Sequence, residues 1–281
     1  MSVSASARWW TKVRNPREIA IRFLATEPCR SLLRLAGKSR VGLRLLNVMI
    51  GHRRLFRSFE EAWEWARRST YAGHDHPDYI REHLFLSKSL RPSDYAALYW
   101  LLRINPNNIS VFDFAGNVGN LFYSYYPYLK RAGELLDWTV FDLPRTLEEG
   151  REIAANRSAP GLSFEDSIRG FSEEQTLLVS GAFHYWETSV REFIGQFPQR
   201  PRHVILNRTP VHETQPSFIT IQHRGSYAVP CLVRNKKELA SAFAAEGYVM
   251  IDQWPALELS LEMPFLPNYT VPYYSGFYFR R

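Results

Sequence analysis

The sequence predicts an α/β fold built on a mostly parallel sheet, with an antiparallel last strand and an N-terminal helical extension. Three observations lead to this fold class. From residue 109 onward, apolar runs of strand length alternate with segments of helical periodicity, as in a sheet covered on both faces. The last two strands have only the loop 255–272 between them, which favours an antiparallel pair. The first 57 residues are basic and have helical periodicity.

The alternating pattern gives a definite set of elements. Strands are predicted at 109–114, 138–141, 162–164, 176–181, 203–207, 247–253 and 274–280. Helices are predicted at 119–131, 145–157, 188–197 and 235–246. Before them, Ser58 and Glu61 form the spacing of a capping box at a helix start, and 80–103 has the pattern of a further helix. The predicted units are a basic helical extension (1–57), a helical cap or linker (58–108) and an α/β domain (109–281).

Charge is distributed unevenly along the chain. The net charge is +7, yet residues 1–59 hold 13 Lys and Arg against only Glu18 and Glu27, which leaves the rest of the chain at −4. A basic amphipathic segment of this kind is compatible with contact with an anionic membrane surface. It is equally compatible with a helical cap that packs on the main domain, and both interpretations stay open. Nucleic-acid binding is not predicted, because no recognition motif accompanies the basic segment.

Cysteine usage and hydropathy favour a cytoplasmic location. Cys29 and Cys231 are far apart and have no metal-ligand spacing. No secretory signal is visible, and arginines and lysines interrupt every apolar stretch long enough to span a bilayer. His74 and His76 flank an aspartate, but without further ligands at fixed spacing we predict no metal site.

The turn after the first strand is the most informative feature of the sequence. The run FDFAGNVGN ends a strand at Asp113, passes through small residues and enters a helix after Gly119. Backbone N–H groups at such a helix start receive nucleotide-like cofactors. An acid before the turn points to S-adenosylmethionine (SAM) more than to a dinucleotide. A typical SAM motif has glycine where this chain has Ala115 and Asn117, although asparagine tolerates positive φ.

A second acid strengthens this interpretation. Asp142 ends the strand of WTVFDLPR and precedes a proline at a helix start. A carboxylate at this strand end is well placed to accept hydrogen bonds from both ribose hydroxyls. After the third strand, Asp166 and Ser167 lie where an adenine amine would be met. The predicted cofactor residues are Asp113, Ala115, Gly116, Asn117, Gly119, Asp142, Leu143, Asp166, Ser167, Ser180 and Gly181.

Candidate catalytic residues follow the fourth and fifth strands. His184 is the preferred general base, because imidazole takes a hydroxyl proton near neutral pH, and His212 is the alternative base. Asn207 and Arg208 are predicted to orient the substrate, and Arg208 suits an anionic group. The sequence contains no GxSxG, GxxxxGK[ST], HExxH or CxxC motif, which argues against the commonest hydrolases, nucleotide triphosphatases, zinc proteases and thiol oxidoreductases.

Several segments taken in order resemble a known family. The runs FDFAGNVGN, TVFDLPRTLEEGREIA, LLVSGAFHYWE, HVILNRTPVHE and YSGFYFR are similar to a largely uncharacterised bacterial family of SAM-dependent methyltransferases, associated with cell-surface polysaccharide gene clusters. The resemblance covers about residues 55–280. It implies a Rossmann-like class I methyltransferase sheet and gives a cofactor role to Asp113, Gly116, Gly119 and Asp142.

The leading hypothesis is a SAM-dependent methyltransferase that methylates oxygen on a small molecule, a saccharide or a cell-envelope precursor. The resemblance alone supplies the saccharide and cell-envelope context. The basic segment extends the predicted cytoplasmic location to the inner membrane face. Two alternatives stay open. One is an oxidoreductase that uses NAD, against which the absence of GxGxxG counts. The other is a catalytically degenerate binding or scaffold protein, which the altered turn at Ala115 and Asn117 keeps open.

Overall fold

The computed structural model describes residues 26, 29–36, 39, 42, 52, 54–69, 71–73, 90–130, 135–223 and 227–281. The helices in these ranges are α1 (Cys29–Ala36), α2 (Phe59–Ser69), α3 (Asp94–Ile104), α4 (Asn120–Leu129), α5 (Pro144–Arg157), α6 (Val190–Gly195) and α7 (Lys236–Ala245). The strands are β1 (Tyr71–Ala72), β2 (Asn108–Phe114), β3 (Leu135–Phe141), β4 (Leu162–Glu165), β5 (Thr176–Ser180), β6 (His203–Thr209), β7 (Val211–His212), β8 (Phe218–His223), β9 (Tyr227–Asn235), β10 (Val249–Ala256) and β11 (Tyr274–Arg280).

Seven strands form the main sheet in the order β10-β11-β6-β5-β2-β3-β4. The five strands from β6 to β4 run parallel, whereas β11 is antiparallel to both β6 and β10. The prediction of a mostly parallel sheet with an antiparallel end is therefore confirmed. The protein therefore has a mixed α/β fold with a seven-stranded, mostly parallel sheet.

Both faces of this sheet are covered, as the near-continuous apolar strands require. On one face, Phe112 and Val179 belong to an apolar cluster that includes residues of α6 and α7. On the other face, Val111 and Leu178 pack in a cluster with residues of α3 and α4. Because successive strand residues point to opposite faces, neighbouring residues of β2 and β5 serve different cores. The rigid centre of the sheet thus fixes where β2 and β5 end.

A second, smaller sheet was not predicted from the sequence. β9 pairs antiparallel with β8 along its length and parallel with the two-residue strands β1 and β7 near its ends. Helix α2 lies against this sheet, since Ala62 and Ala66 pack with Ile221 and Ala228. The segment between β6 and α7 therefore contains an inserted β-hairpin, β8–β9, which lies beside the main sheet.

The N-terminal predictions are tested only in part. The helix start at Ser58 is confirmed: Ser58 Oγ accepts from Glu61 N at 3.1 Å, although Glu61 reaches back to Arg57 N and not to Ser58. The predicted helix around Leu32 is present as α1. The helix predicted at 41–50 lies outside the described residues except for Gly42, as do the motif His74–His76 and residues 80–89 of the helix predicted at 80–103.

Candidate functional site

A cavity of about 490 Å³ opens at the carboxyl ends of the central parallel strands. This edge of an open α/β sheet is where ligands bind. Its lining residues come from the main sheet, from the inserted hairpin and from the loop between β10 and β11. They are Arg91, Asp113, Ala115, Gly116, Asn120, Leu121, Ser180, Gly181, Ala182, His184, Tyr185, Arg208, Gln222, Tyr227, Glu258, Leu259, Ser260 and Tyr274.

The turn between β2 and α4 has an unusual backbone. Ala115, Asn117 and Gly119 all adopt positive φ, at 56°, 57° and 80°. These are the three positions at which a typical SAM motif carries glycine, so the backbone has the glycine conformation although two residues are not glycine. Asparagine adopts this conformation readily, whereas alanine is strained in it.

Asp113 lies beneath this turn and is almost fully buried, with 1% of its surface exposed. Trp138 Nε1 donates to its Oδ2 at 3.2 Å, and its buried Oδ1 accepts no hydrogen bond from the residues that the structure describes. Gly116 packs directly on the carboxyl group, because a Cβ there would lie 2.5 Å from the Asp113 Cγ. The pKa of Asp113 is raised to about 7, mainly because the group is buried. The Trp138 hydrogen bond and Arg208 lower the pKa, whereas the nearby Asp142 and Asp94 raise it. The cavity thus has at its base an acid that titrates near neutral pH.

Asp142 ends the neighbouring strand and ties the two turns together. Its Oδ2 accepts from Asn117 N at 2.7 Å, and its Oδ1 accepts from Leu143 N at 2.7 Å. Burial raises the pKa of Asp142 to about 6, and these two backbone hydrogen bonds counteract the shift. Each oxygen keeps a lone pair for a further donor. Leu143 beside it is 45% exposed, which leaves an apolar surface next to the carboxylate.

The predicted residues after β4 lie further along the same edge. The β3–β4 register pairs Phe141 with Glu165, which sets Asp166 beside Asp142 in the strand order. Asp166 is exposed, and Ser167 is half-buried with its Oγ accepting from Arg169 N at 3.2 Å. Neither residue lines the 490 Å³ cavity.

The end of β5 supplies the far wall of the cavity. Gly181 N donates to the Asn207 carbonyl at 2.8 Å, which joins the ends of β5 and β6. His184 follows in a short 3-10 helix, Phe183–Tyr185, and is 3% exposed. Its ring lies 4.0 Å from the Tyr185 ring and 6.0 Å from the Tyr274 ring, measured between centroids. The preferred general base therefore faces the cavity from an aromatic setting.

Arg208 and Asn207 belong to a buried polar network. Arg208 Nη1 lies 3.1 Å from Asp94 Oδ1, and Arg208 Nη2 donates to Ser180 Oγ at 2.7 Å. Asn207 donates from Nδ2 to Asp94 Oδ1 at 3.2 Å and accepts from Trp254 Nε1 at 3.1 Å. Arg208 lines the cavity but Asn207, which is fully buried, does not. Asn207 thus lies behind the cavity wall, where it holds the groups that form it.

His212, the alternative base, lies at a different place. Its Nδ1 accepts from Thr214 N at 3.2 Å and from Gln215 N at 2.9 Å, so this nitrogen holds the following turn. It lines a separate cavity of about 210 Å³ together with residues of the β10–β11 loop. The structure does not bring His212 together with His184.

Sequence reasoning missed several residues at the cavity. Asp94 centres the buried network, Gln222 and Tyr227 come from the unpredicted hairpin, and Glu258 comes from a loop with no motif. Asp94 lies near the end of the helix predicted at 80–103 but begins α3 in the structure, and nothing local connects it with Arg208. In the described part of the chain, no group of three His, Cys, Asp or Glu side chains is arranged to hold a metal ion. None of the helices described there has the length and hydropathy of a bilayer-spanning segment.

Comparison with known proteins gives similarity at the level of structure only. No protein-family model matches the chain. No curated protein matches its sequence. Similar structures include 1,6-didemethyltoxoflavin-N1-methyltransferase from Burkholderia thailandensis with bound 1,6-didemethyltoxoflavin and S-adenosylhomocysteine (15% identity, 68% of this chain and 79% of that chain, TM-score 0.45).

Two further similar structures are the glycopeptide N-methyltransferase MtfA with S-adenosylhomocysteine (11% identity, 68% and 90% coverage, TM-score 0.48) and the magnesium protoporphyrin IX methyltransferase of Synechocystis PCC 6803 with SAM (11% identity, 96% and 99% coverage, TM-score 0.43). At these identities and TM-scores, the likeness says nothing about the activity of this chain.

Proposed function

We propose that this protein is a SAM-dependent methyltransferase that methylates an oxygen of a small molecule, a saccharide or a cell-envelope precursor. The observation that carries the proposal is the pair of acids, Asp113 and Asp142, at the ends of adjacent parallel strands on either side of a positive-φ turn. The antiparallel β10–β11 end of the sheet and the absence of GxGxxG disfavour the alternative of an NAD-dependent oxidoreductase.

The residues present fit the cofactor. Asp113 Oδ1 is a buried acceptor with no donor in the described part of the chain, and such an atom is normally satisfied by a ligand, an ion or water. Asp142 keeps acceptor capacity toward the ribose hydroxyls, and Leu143 offers an apolar surface next to it. The cradle departs from the typical motif at Ala115, which lines the cavity where that motif has glycine.

When bound, SAM supplies an electrophilic methyl group. In the proposal, Asp142 receives the ribose hydroxyls, Asp113 and Gly116 border the amino-acid end, and Asp166 and Ser167 lie toward the adenine. Ser180 and Gly181 close the cavity on the β5 side. The protein's main contribution is to hold the two reactants in line and exclude water, because methyl transfer needs little further chemistry.

His184 is the proposed base for the acceptor hydroxyl. It lines the cavity beside Tyr185, and an imidazole accepts a proton near neutral pH. Arg208 lines the same cavity, and its charge is paired with Asp94. We therefore assign Arg208 to the cavity wall in the protein without substrate. His184→Ala should slow methyl transfer while SAM affinity is kept. Full activity of this variant would remove His184 from the proton pathway.

Transfer of a labelled methyl group tests the finer part of the proposal. The full chain is incubated with SAM carrying a 13C methyl group and with neutral saccharides, phenols and amines in parallel. The chemical shift of the product methyl group distinguishes attachment to oxygen, nitrogen or carbon. Label on a hydroxyl oxygen supports the proposal. Label only on nitrogen or carbon contradicts oxygen as the acceptor, while methyltransferase activity stands.

The proposal extends to a cytoplasmic protein whose segment 1–57 contacts an anionic inner membrane face. The support is the local excess of positive charge over residues 1–59, 13 basic against two acidic side chains. Co-sedimentation with phosphatidylglycerol vesicles at low salt, but not with phosphatidylcholine vesicles, is the expected result. Equal recovery with both vesicle types would contradict an electrostatic membrane contact.

A further inference from the structure

The cavity has two chemically different sides. The turn after β2 and the end of β5 form the side that the proposed function gives to the cofactor. The opposite side comes from elements outside the parallel strands: the inserted hairpin with Gln222 and Tyr227, and the β10–β11 loop at residues 258–260. Tyr185 donates its hydroxyl hydrogen to Gln222 Oε1, which joins the hairpin to the end of β5. This second side is polar, and Glu258 is its carboxylate.

Glu258 is held firmly from two directions. Ser93 donates to its Oε1 from both the backbone N, at 3.4 Å, and the side-chain hydroxyl. The loop that carries it is fixed because Leu259 N donates to Ala256 O at 3.2 Å and Tyr274 N donates to Leu259 O at 3.0 Å. A carboxylate restrained in this way presents its oxygens in a fixed direction.

The second oxygen of this carboxylate has no hydrogen-bond partner among the residues described. Glu258 Oε2 is buried and accepts no hydrogen bond from the described residues. Leaving a buried acceptor unsatisfied is unfavourable, and native proteins keep such atoms rarely, often where a ligand completes them. Ser93 precedes α3, yet its side chain makes no capping hydrogen bond to that helix. Its hydroxyl donates to Glu258 instead.

We propose that Glu258 is the acceptor-binding carboxylate of this cavity, and that it receives a hydrogen bond from a hydroxyl or amine group of the molecule to be methylated. The inference rests on the proposed function and adds the acceptor chemistry: the acceptor presents a hydrogen-bond donor at the face opposite the cofactor. Glu258 orients that group toward the methyl group. The interaction strengthens as water leaves the site, because a charge-assisted hydrogen bond is stronger in a less polar medium.

A cofactor analogue provides a probe that needs no knowledge of the acceptor. In sinefungin, an amine-bearing carbon replaces the sulfonium, so a donor group occupies the place of the transferable methyl group. S-adenosylhomocysteine has only a neutral sulfur there. A sphere with the volume of the cavity is about 10 Å across, and over such distances a partly desolvated carboxylate still attracts an ammonium group appreciably. The ratio of the two dissociation constants therefore reports how strongly carboxylates near the methyl position attract the ammonium group.

The experiment is calorimetric titration of both compounds into the full chain and into Glu258→Gln, which keeps the shape and replaces the acceptor oxygen by a donor. We expect the preference for sinefungin to fall about fivefold or more in this variant, with S-adenosylhomocysteine affinity within about twofold of wild type. Glu213→Gln, an acid that pairs with Lys236 away from the cavity, is the matched control and should change neither value.

Each other outcome has a definite meaning. An unchanged preference in Glu258→Gln overturns the inference, and so does an equal loss of affinity for both compounds, which would make Glu258 a cofactor residue. If Glu258→Gln does not fold, judged by thermal unfolding, Glu258→Ala is judged by the same ratio. Failure of the wild-type protein to bind either compound contradicts the proposed function itself and is recognised before any variant is measured.

Discussion

Asp94 and Arg208 form a buried ion pair between residues 114 positions apart in the chain. Arg208 Nη1 lies 3.1 Å from Asp94 Oδ1, and only 5% and 2% of the two side chains are exposed. Tyr125 donates its hydroxyl to the same Oδ1 at 2.8 Å. The pair therefore joins α3, α4 and the end of β6 directly beside the cavity, and Ser93 extends the connection to Glu258.

The first prediction concerns this pair. Asp94→Ala leaves the Arg208 charge buried without its partner, so the free energy of unfolding should fall by about 3–5 kcal/mol. Urea denaturation followed by far-UV circular dichroism measures the loss. The double variant Asp94→Leu with Arg208→Met should recover part of it, because two apolar side chains leave no unpaired charge, although Tyr125 and Asn207 lose their acceptor. A loss below about 1 kcal/mol in the single variant would show that the pair does not hold the fold.

The second prediction concerns the strained alanine of the turn. Ala115 adopts a φ of 56°, so Ala115→Gly should remove about 1 kcal/mol of strain, partly offset by the greater freedom of glycine in the unfolded chain. We expect the variant to be more stable by a few tenths of a kcal/mol to about 1 kcal/mol in chemical denaturation. Ala154→Gly within α5 is the control of opposite sign, since glycine there costs about 1 kcal/mol. Destabilisation at both sites would argue against the left-handed turn.

The third prediction concerns the predicted ribose carboxylate. Asp142→Ala removes the group proposed to bind two hydroxyls, so SAM affinity should fall by about tenfold or more. The loss of the acceptor for Asn117 N and Leu143 N should also lower the melting temperature. Asp137→Ala is the matched control. Asp137 is an exposed carboxylate at the other end of β3, and among the described residues it accepts a hydrogen bond only from Ser110. Equal SAM affinity in Asp142→Ala and wild type would contradict the assignment.

The fourth prediction is a pH dependence of cofactor binding. The pKa of Asp113 is raised to about 7, so the free protein holds a proton there through much of the range below pH 7. A bound cationic cofactor favours the carboxylate, so binding should release a proton near pH 7, and affinity should rise as pH increases from about 6 to about 8. Asp142, with a pKa of about 6, contributes at the lower end of this range.

The same residue predicts how stability changes with pH in the free protein. Because the folded pKa of Asp113 exceeds the ordinary value of 3.8, the folded state binds more protons between these limits. This group's contribution to stability is therefore greatest at low pH and is lost as pH rises from about 4 to about 7.

Calorimetry in two buffers of different ionisation enthalpy measures the proton release on SAM binding. Near pH 7, Asp113→Asn should remove most of this release, and an unchanged release at that pH would assign the proton to another group.

The sheet was predictable because its signals are local. Each parallel strand is a short apolar run that ends in a turn, and the acids Asp113 and Asp142 stand next to those turns in the sequence. The inserted hairpin was missed because β9 contains Pro230, a residue that argues against a central strand. Its partner strand β8, FITIQH, is short and lies between polar loops.

The cavity was predictable only on the side that the proposed function gives to the cofactor. Arg208 and His184 follow strands that were identified, so their place at the sheet edge came from the strand assignment. Glu258 meets Ser93 across 165 positions, and Asp94 meets Arg208 across 114. Such contacts depend on how loops close over the sheet, which no spacing in the sequence encodes. For the same reason, Asn207 was predicted to orient the substrate but is buried behind the cavity wall in the structure.

Calorimetric titration of the purified full chain with SAM, S-adenosylhomocysteine and, as a control, NADH tests the central claim most directly. We expect micromolar binding of both adenosyl compounds, no binding of NADH, and competition between SAM and S-adenosylhomocysteine for one site. Binding of NADH alone would favour an oxidoreductase. Absence of binding by all three would contradict a functional cofactor site and indicate that the altered turn at Ala115 and Asn117 belongs to a non-catalytic relative.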